Sequence, residues 1–118
     1  MISQQDQINY LEYPAKDIQA TKNFFSTVFG WTFTDYGPEY SSFNHAGIDG
    51  GFFKADLCSL ARNGACLTVL YSNDLELTKE NIIAAGGEIN QEIFSFPGGK
   101  RFHFLEPSGN EFAVWKKD

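Results

Sequence analysis

The chain repeats its own plan once, and that repeat restricts the available folds more than any other feature. Asp17 stands before the stretch Ile18 to Phe29, which ends at Gly30. Asp74 stands before Leu75 to Ala85, which ends at Gly86-Gly87. The spacing from Asp17 to Asp74 equals the spacing from Gly30 to Gly87. An Asp side chain accepts from the free N–H groups of a helix start, and Gly ends a helix by turning left-handed. Between these caps Ile18, Phe25, Val28 and Phe29 recur at helical spacing, as do Leu75, Ile82 and Ala85. A repeat of about half the chain predicts two similar modules, not a solenoid.

Strand-like segments surround each helix. Ile8 to Tyr13 precedes the first, and Trp31 to Tyr36, Glu39 to Asn44 and Gly50 to Lys54 follow it. Ala65 to Tyr71 precedes the second, and Glu88 to Ser95, Lys100 to Leu105 and Glu111 to Lys116 follow it. Gly37-Pro38, His45-Ala46-Gly47, Pro97-Gly98-Gly99 and Pro107 to Asn110 supply the turns. Both halves read β-α-β-β-β, which predicts an α+β fold with two βαβββ modules cupped around a central cavity. Residues 1–118 form one expected domain: module one at about 5–54, a linker at 55–64 and module two at 65–117.

The closing hairpin is the sharpest local signal. Alternation puts Phe102, Phe104, Phe112 and Val114 on a core face. The opposite face carries Arg101, His103, Glu111, Ala113 and Trp115. Ionisable groups beside a large aromatic and a very small residue suit the wall of a ligand cavity. Twelve Phe residues and a 16% aromatic fraction predict an aromatic lining.

The net charge of -6 argues against nucleic acid and anionic membrane surfaces as partners. Met1 to Gln7 lacks the basic and apolar regions of a signal peptide, and no apolar run approaches spanning length. A cytoplasmic location is expected, with Cys58 and Cys66 as free thiols.

Several of these residues together resemble the vicinal oxygen chelate superfamily, which includes glyoxalase I, extradiol dioxygenases and bleomycin-resistance proteins. The resemblance rests on Phe24-Phe25 and Val28-Phe29-Gly30-Trp31, on Gly50-Gly51-Phe52, and on Ala85-Gly86-Gly87. Phe104-Leu105-Glu106-Pro107-Ser108-Gly109-Asn110 completes it. It implies a divalent metal held by His, Glu, Tyr or Gln on strands of both halves, polarising a substrate with neighbouring oxygens. Carried over, the ligand positions are Tyr10, Leu67, Ala113 and the run Gly51 to Phe53. Leu67 and Ala113 have no donor side chain, and a metal site needs three or more ligands. No metal and no cofactor are therefore expected at this position.

The expected occupant is a small organic molecule between aromatic walls, as in the resistance proteins. The alternatives are a metal-independent isomerase or lyase using His103 and Glu12, and a metal-dependent lyase or dioxygenase with a different ligand set. His103 is a candidate acid, base or ligand contact, against a strand histidine bonded to its neighbour. Glu12 is a candidate base, against an ion pair with Arg101 or His103. Arg101 would clamp an anion or bridge to Glu12 or Glu111. Trp115 would stack on a planar ligand or close the sheet edge. Tyr10 and Tyr40 would donate to ligand oxygens, and Leu67 and Glu111 would complete the lining. The resemblance also implies a homodimer.

Overall fold

The computed structural model describes residues 4–118. Its elements are β1 (Tyr10–Ala15), α1 (Ile18–Phe29), β2 (Thr32–Asp35), β3 (Tyr40–Asn44) and β4 (Asp49–Lys54), then a short 3-10 turn (Ala61–Asn63). They continue with β5 (Thr68–Tyr71), α2 (Leu75–Ala84), β6 (Glu88–Phe96), β7 (Gly99–Leu105) and β8 (Glu111–Lys117). The fold is α+β, with two four-stranded sheets ordered β1-β4-β3-β2 and β5-β8-β7-β6. Each sheet is mixed: β1 runs parallel to β4 and β5 parallel to β8, while the remaining pairs are antiparallel.

Asp17 caps α1 by accepting from Ala20 N–H at 3.0 Å, and Asp74 caps α2 by accepting from Leu77 N–H at 3.1 Å. Gly30 closes α1 at φ 73. Two strand starts differ from the sequence expectation by more than one residue. β1 begins at Tyr10 and runs through Pro14 to Ala15. It is an edge strand, where a missing N–H is tolerated. β5 begins at Thr68, because Ala65 N–H bonds back to Leu60 C=O and holds the preceding residues in a turn.

The core is aromatic and joins the two halves. Phe25 and Phe52 of the first half and Phe104 and Phe112 of the second are fully buried. Phe112 sits 5.0 Å from Phe25 and 5.2 Å from Tyr13, ring centre to ring centre. Each such ring contributes about 1.5–3 kcal/mol by leaving water.

A polar clasp adds to this core. The turn Glu106 to Asn110 is pushed into the first half of the chain. Asn110 Nδ2 donates to Pro14 C=O at 2.6 Å, and Thr21 Oγ1 donates to Glu106 Oε1 at 2.6 Å. Asp17 N–H donates to Ser108 Oγ at 3.0 Å. Glu106 and Asn110 are buried, so this segment serves as a plug as well as a hairpin turn.

Candidate functional site

Strand register decides which candidate side chains meet. On the second sheet Ala113 pairs with both Val69 and His103, and His103 pairs with Gln91. One step along, Trp115 pairs with Tyr71 and Arg101, and Arg101 with Phe94. The face opposite the core therefore carries His103 and Arg101 side by side with Trp115, Tyr71 and Phe94.

His103 is 5% exposed, which for an imidazole demands partners. Nδ1 lies 2.8 Å from Glu111 Oε2. Burial pushes the Glu111 carboxyl up, but bonds from His103, the Ala61 N–H and Asn90 outweigh it and the net shift is downward. Glu111 is thus a carboxylate that only accepts, so Nδ1 carries the proton and donates. In the neutral ring the lone pair then sits on Nε2. Nε2 is buried and has no hydrogen-bond partner among the described residues.

Arg101 Nε is likewise buried without a partner. The bridge to Glu12 or Glu111, one of the two roles weighed for it, does not form among the described residues. The guanidinium carbon instead stands 5.2 Å from the Phe94 ring centre and 5.7 Å from that of Phe96. Trp115 meets Tyr71 edge-on at 5.1 Å and lies 6.1 Å from Phe96. Phe94 also touches the His103 ring at 5.9 Å. Strand β6 shifts register between Ile89 and Gln91 and again between Gln91 and Phe94. Such irregularities re-aim side chains, and here they set Phe94 against both His103 and Arg101.

The first sheet holds the other candidates. Tyr40 O–H donates to Glu12 Oε2 at 2.8 Å. Tyr10 and Tyr40 oxygens are 2.6 Å apart, and since Tyr40 has spent its proton, Tyr10 donates. Loss of solvent raises the Tyr40 hydroxyl pKa, and its bonds to Tyr10 and Glu12 raise it further. Gly51 makes room for this chain, because a Cβ there would collide with the Tyr40 hydroxyl.

The candidates therefore form two groups, one per sheet. Glu12 pairs with Tyr40, not with Arg101 or His103, because it stands on β1 of the first sheet. Leu67 is half-buried and precedes β5. A cavity of about 600 Å³ has His103, Glu111, Gln91, Asn90, Cys58 and Arg62 in its wall, and none of Tyr10, Glu12 or Tyr40. Cys58 and Cys66 are free thiols. Phe94, Phe96 and the His103–Glu111 bond were absent from the sequence expectation. Alternation at Phe94 and Phe96 hinted at a shared face, but the register shifts hid which neighbours they meet.

Comparison with known proteins places this geometry. Residues 7–114 match the family described as the Glyoxalase/Bleomycin resistance protein/Dioxygenase superfamily. The chain belongs to that superfamily. It is 28% identical over 126 aligned positions to the anthracycline biosynthesis protein DauV of Streptomyces sp. (strain C5). That alignment takes in 92% of this chain and 46% of DauV, so the chain spans about half the length of this relative. Its fold is similar to a glyoxalase-related enzyme from Fulvimarina pelagi, with a TM-score of 0.77 and 17% identity over 95% of this chain and 88% of that one. It is also similar to a glyoxalase/bleomycin resistance protein/dioxygenase family enzyme from Burkholderia phytofirmans PsJN. There the TM-score is 0.75 and the identity 17%, over 93% and 98% of the two chains.

The positions at which the resemblance implies metal ligands are Tyr10, Leu67, Ala113 and the run Gly51 to Phe53. Leu67 and Ala113 offer no donor, and Ala113 is fully buried. Tyr10 is engaged by Tyr40, and Gly51 lies against the Tyr40 ring. Among the described residues no group of three or more His, Cys, Asp or Glu is placed to hold a metal ion. The residues at the carried-over positions do not fit a chelated divalent metal. No helix among the described residues is long and apolar enough to cross a membrane.

Proposed function

We propose that this superfamily member binds a small planar organic molecule on the His103 face of the second sheet, without a metal at the carried-over positions. One observation carries the reading: Arg101 Nε and His103 Nε2 are both buried, both unpartnered, and two residues apart on one strand face. An unmade buried hydrogen bond costs about 1–3 kcal/mol, so a ligand supplying both partners recovers that cost. Trp115, Tyr71, Phe94 and Phe96 offer stacking surface around them. An aromatic ligand agrees with the DauV relative, named for anthracycline biosynthesis.

A second reading, metal-independent turnover, draws on the His103–Glu111 bond, which orients the imidazole as a base. In that reading Glu111 is the positioning residue, and Glu12 stands apart on the other sheet. The test of the main reading is thermal-shift screening of planar aromatic compounds with and without a chelator, alongside elemental analysis of the purified protein. Ligand-induced stabilisation unaffected by the chelator is expected, with no change in the ligand on prolonged incubation. A stoichiometric divalent metal whose removal abolishes binding would overturn it.

A further inference from the structure

We infer that the ligand of this face is a hydroxylated aromatic acid whose hydroxyl gives its proton to His103 Nε2 while its carboxylate meets Arg101. The inference rests on the binding reading above and names its ligand class. Glu111 is an acceptor with no proton to give, and it accepts the hydrogen bond from Nδ1–H at 2.8 Å. A neutral ring bonded in this way offers Nε2 to a ligand as an acceptor, and a group that only accepts would find no partner there. Arg101 has the opposite preference, since every guanidinium nitrogen donates. The two side chains thus ask for a donor at one end of the ligand and an anionic acceptor at the other. Their positions on β7 are two residues apart, about 6–7 Å along a strand, which is on the order of the width of a fused two-ring aromatic.

The proton step balances simply. The ligand O–H bond breaks, its electron pair stays on oxygen, and an N–H bond forms at Nε2. The imidazolium so formed is held by the Glu111 carboxylate through Nδ1–H. The charged groups on this face are Arg101, Glu111 and, by register, Lys117, and the cavity beside His103 adds Arg62 and Glu88. Arg101, the nearest cation on the same strand, favours the oxyanion product. Phe94 packs against both His103 and Arg101, so its ring must turn aside to admit the ligand. The interrupted pairing of β6 on the N-terminal side of Phe94 gives it that freedom.

The experiment titrates the unmodified protein with three probes: a hydroxynaphthoate with hydroxyl and carboxylate at opposite ends of the rings, its methyl ether, and plain naphthol. Fluorescence quenching gives the affinities, and absorption reports whether the bound probe is naphthol or naphtholate. The hydroxynaphthoate is expected to bind with its naphtholate band present at a pH where the free probe is protonated. Losing the proton donor or the carboxylate should each weaken binding by about tenfold or more. Glu111→Gln should remove the naphtholate band while Trp115→Ala weakens all three probes. Equal binding of the methyl ether, or no naphtholate band, with Trp115→Ala still weakening the probes, would overturn this inference and leave the binding reading standing. Binding indifferent to Trp115→Ala, or no binding of any probe, would sink both.

Discussion

Replacing Asn110 by alanine should cost this protein as much stability as truncating a large core side chain. The Asn110 side chain makes three hydrogen bonds. Nδ2 donates to Pro14 C=O at 2.6 Å and to Glu106 Oε2 at 2.7 Å, and Oδ1 accepts from Ser59 N–H at 2.8 Å. Those partners lie in β1, in the turn itself and in the segment joining the two halves, so one amide ties together three parts of the chain. Truncation leaves the Pro14 carbonyl and the Ser59 N–H without these partners, at about 1–3 kcal/mol each. Glu106 Oε2 keeps the Asn110 backbone N–H at 3.3 Å, so the carboxylate loses one bond and is not stranded. Water entering the vacated space recovers a part. The sum is about 3–5 kcal/mol, a large share of the ~5–15 kcal/mol that holds a typical domain. At about 4 °C per kcal/mol, the melting temperature should fall by about 12–20 °C.

Urea unfolding followed by tryptophan fluorescence and circular dichroism measures this directly. Pro107→Ala, an exposed position in the same turn, serves as the control and should be near neutral. A loss below about 1 kcal/mol for Asn110→Ala, with an unchanged denaturant slope, would refute the clasp as a stabilising network.

Two further outcomes follow from buried groups. Burial raises the Glu106 carboxyl pKa, and bonds from Thr21, Ser108 and Asn110 only partly offset it. Its folded pKa therefore lies above its unfolded one. Its contribution is fully present below the ordinary glutamate range and is lost as pH rises through the folded value. The stability difference between the natural protein and Glu106→Gln, measured across that window, should fall with rising pH; a rising difference would contradict the assignment. Gly51→Ala should displace the Tyr40 hydroxyl at a cost of about 1–3 kcal/mol and return its alkaline titration toward that of a free tyrosine. Absorbance titration at high pH reads that change, and an unaltered curve would mean that Tyr40 does not lie over Gly51.

Local chemistry was legible in the sequence, and contacts between distant segments were not. Asp17, Asp74 and Gly30 announce the helix ends because capping involves neighbours within a few residues. Phe102, Phe104, Phe112 and Val114 announce the core face because strand alternation is local too. Alternation assigns a face but does not say which face it will share space with, so Glu12 and His103 were expected in one cavity and stand on different sheets. The turn Glu106 to Asn110 read as a turn, and its plugging role depends on Pro14 and Thr21, which are far away in sequence. Phe94 was missed because the register shifts in β6 break the alternation that would have located it.

The two candidate clusters differ in a way that bears on where binding energy is available. On the first sheet Tyr10 O–H donates a hydrogen bond to Tyr40 and Tyr40 O–H donates to Glu12, so those hydroxyls are already satisfied. A ligand entering there must replace bonds already made and gains little from them. On the second sheet Arg101 Nε and His103 Nε2 are out of water and have no hydrogen-bond partner among the described residues. A ligand that reaches them loses no protein hydrogen bond and removes two desolvation costs. The alanine at position 113 works in the same direction. A glutamate there would stand directly across from His103 in the register, where its carboxylate would compete with Glu111 for the imidazole. Alanine leaves the imidazole with Glu111 alone, which fixes its proton on Nδ1 and turns its lone pair toward whatever the face receives.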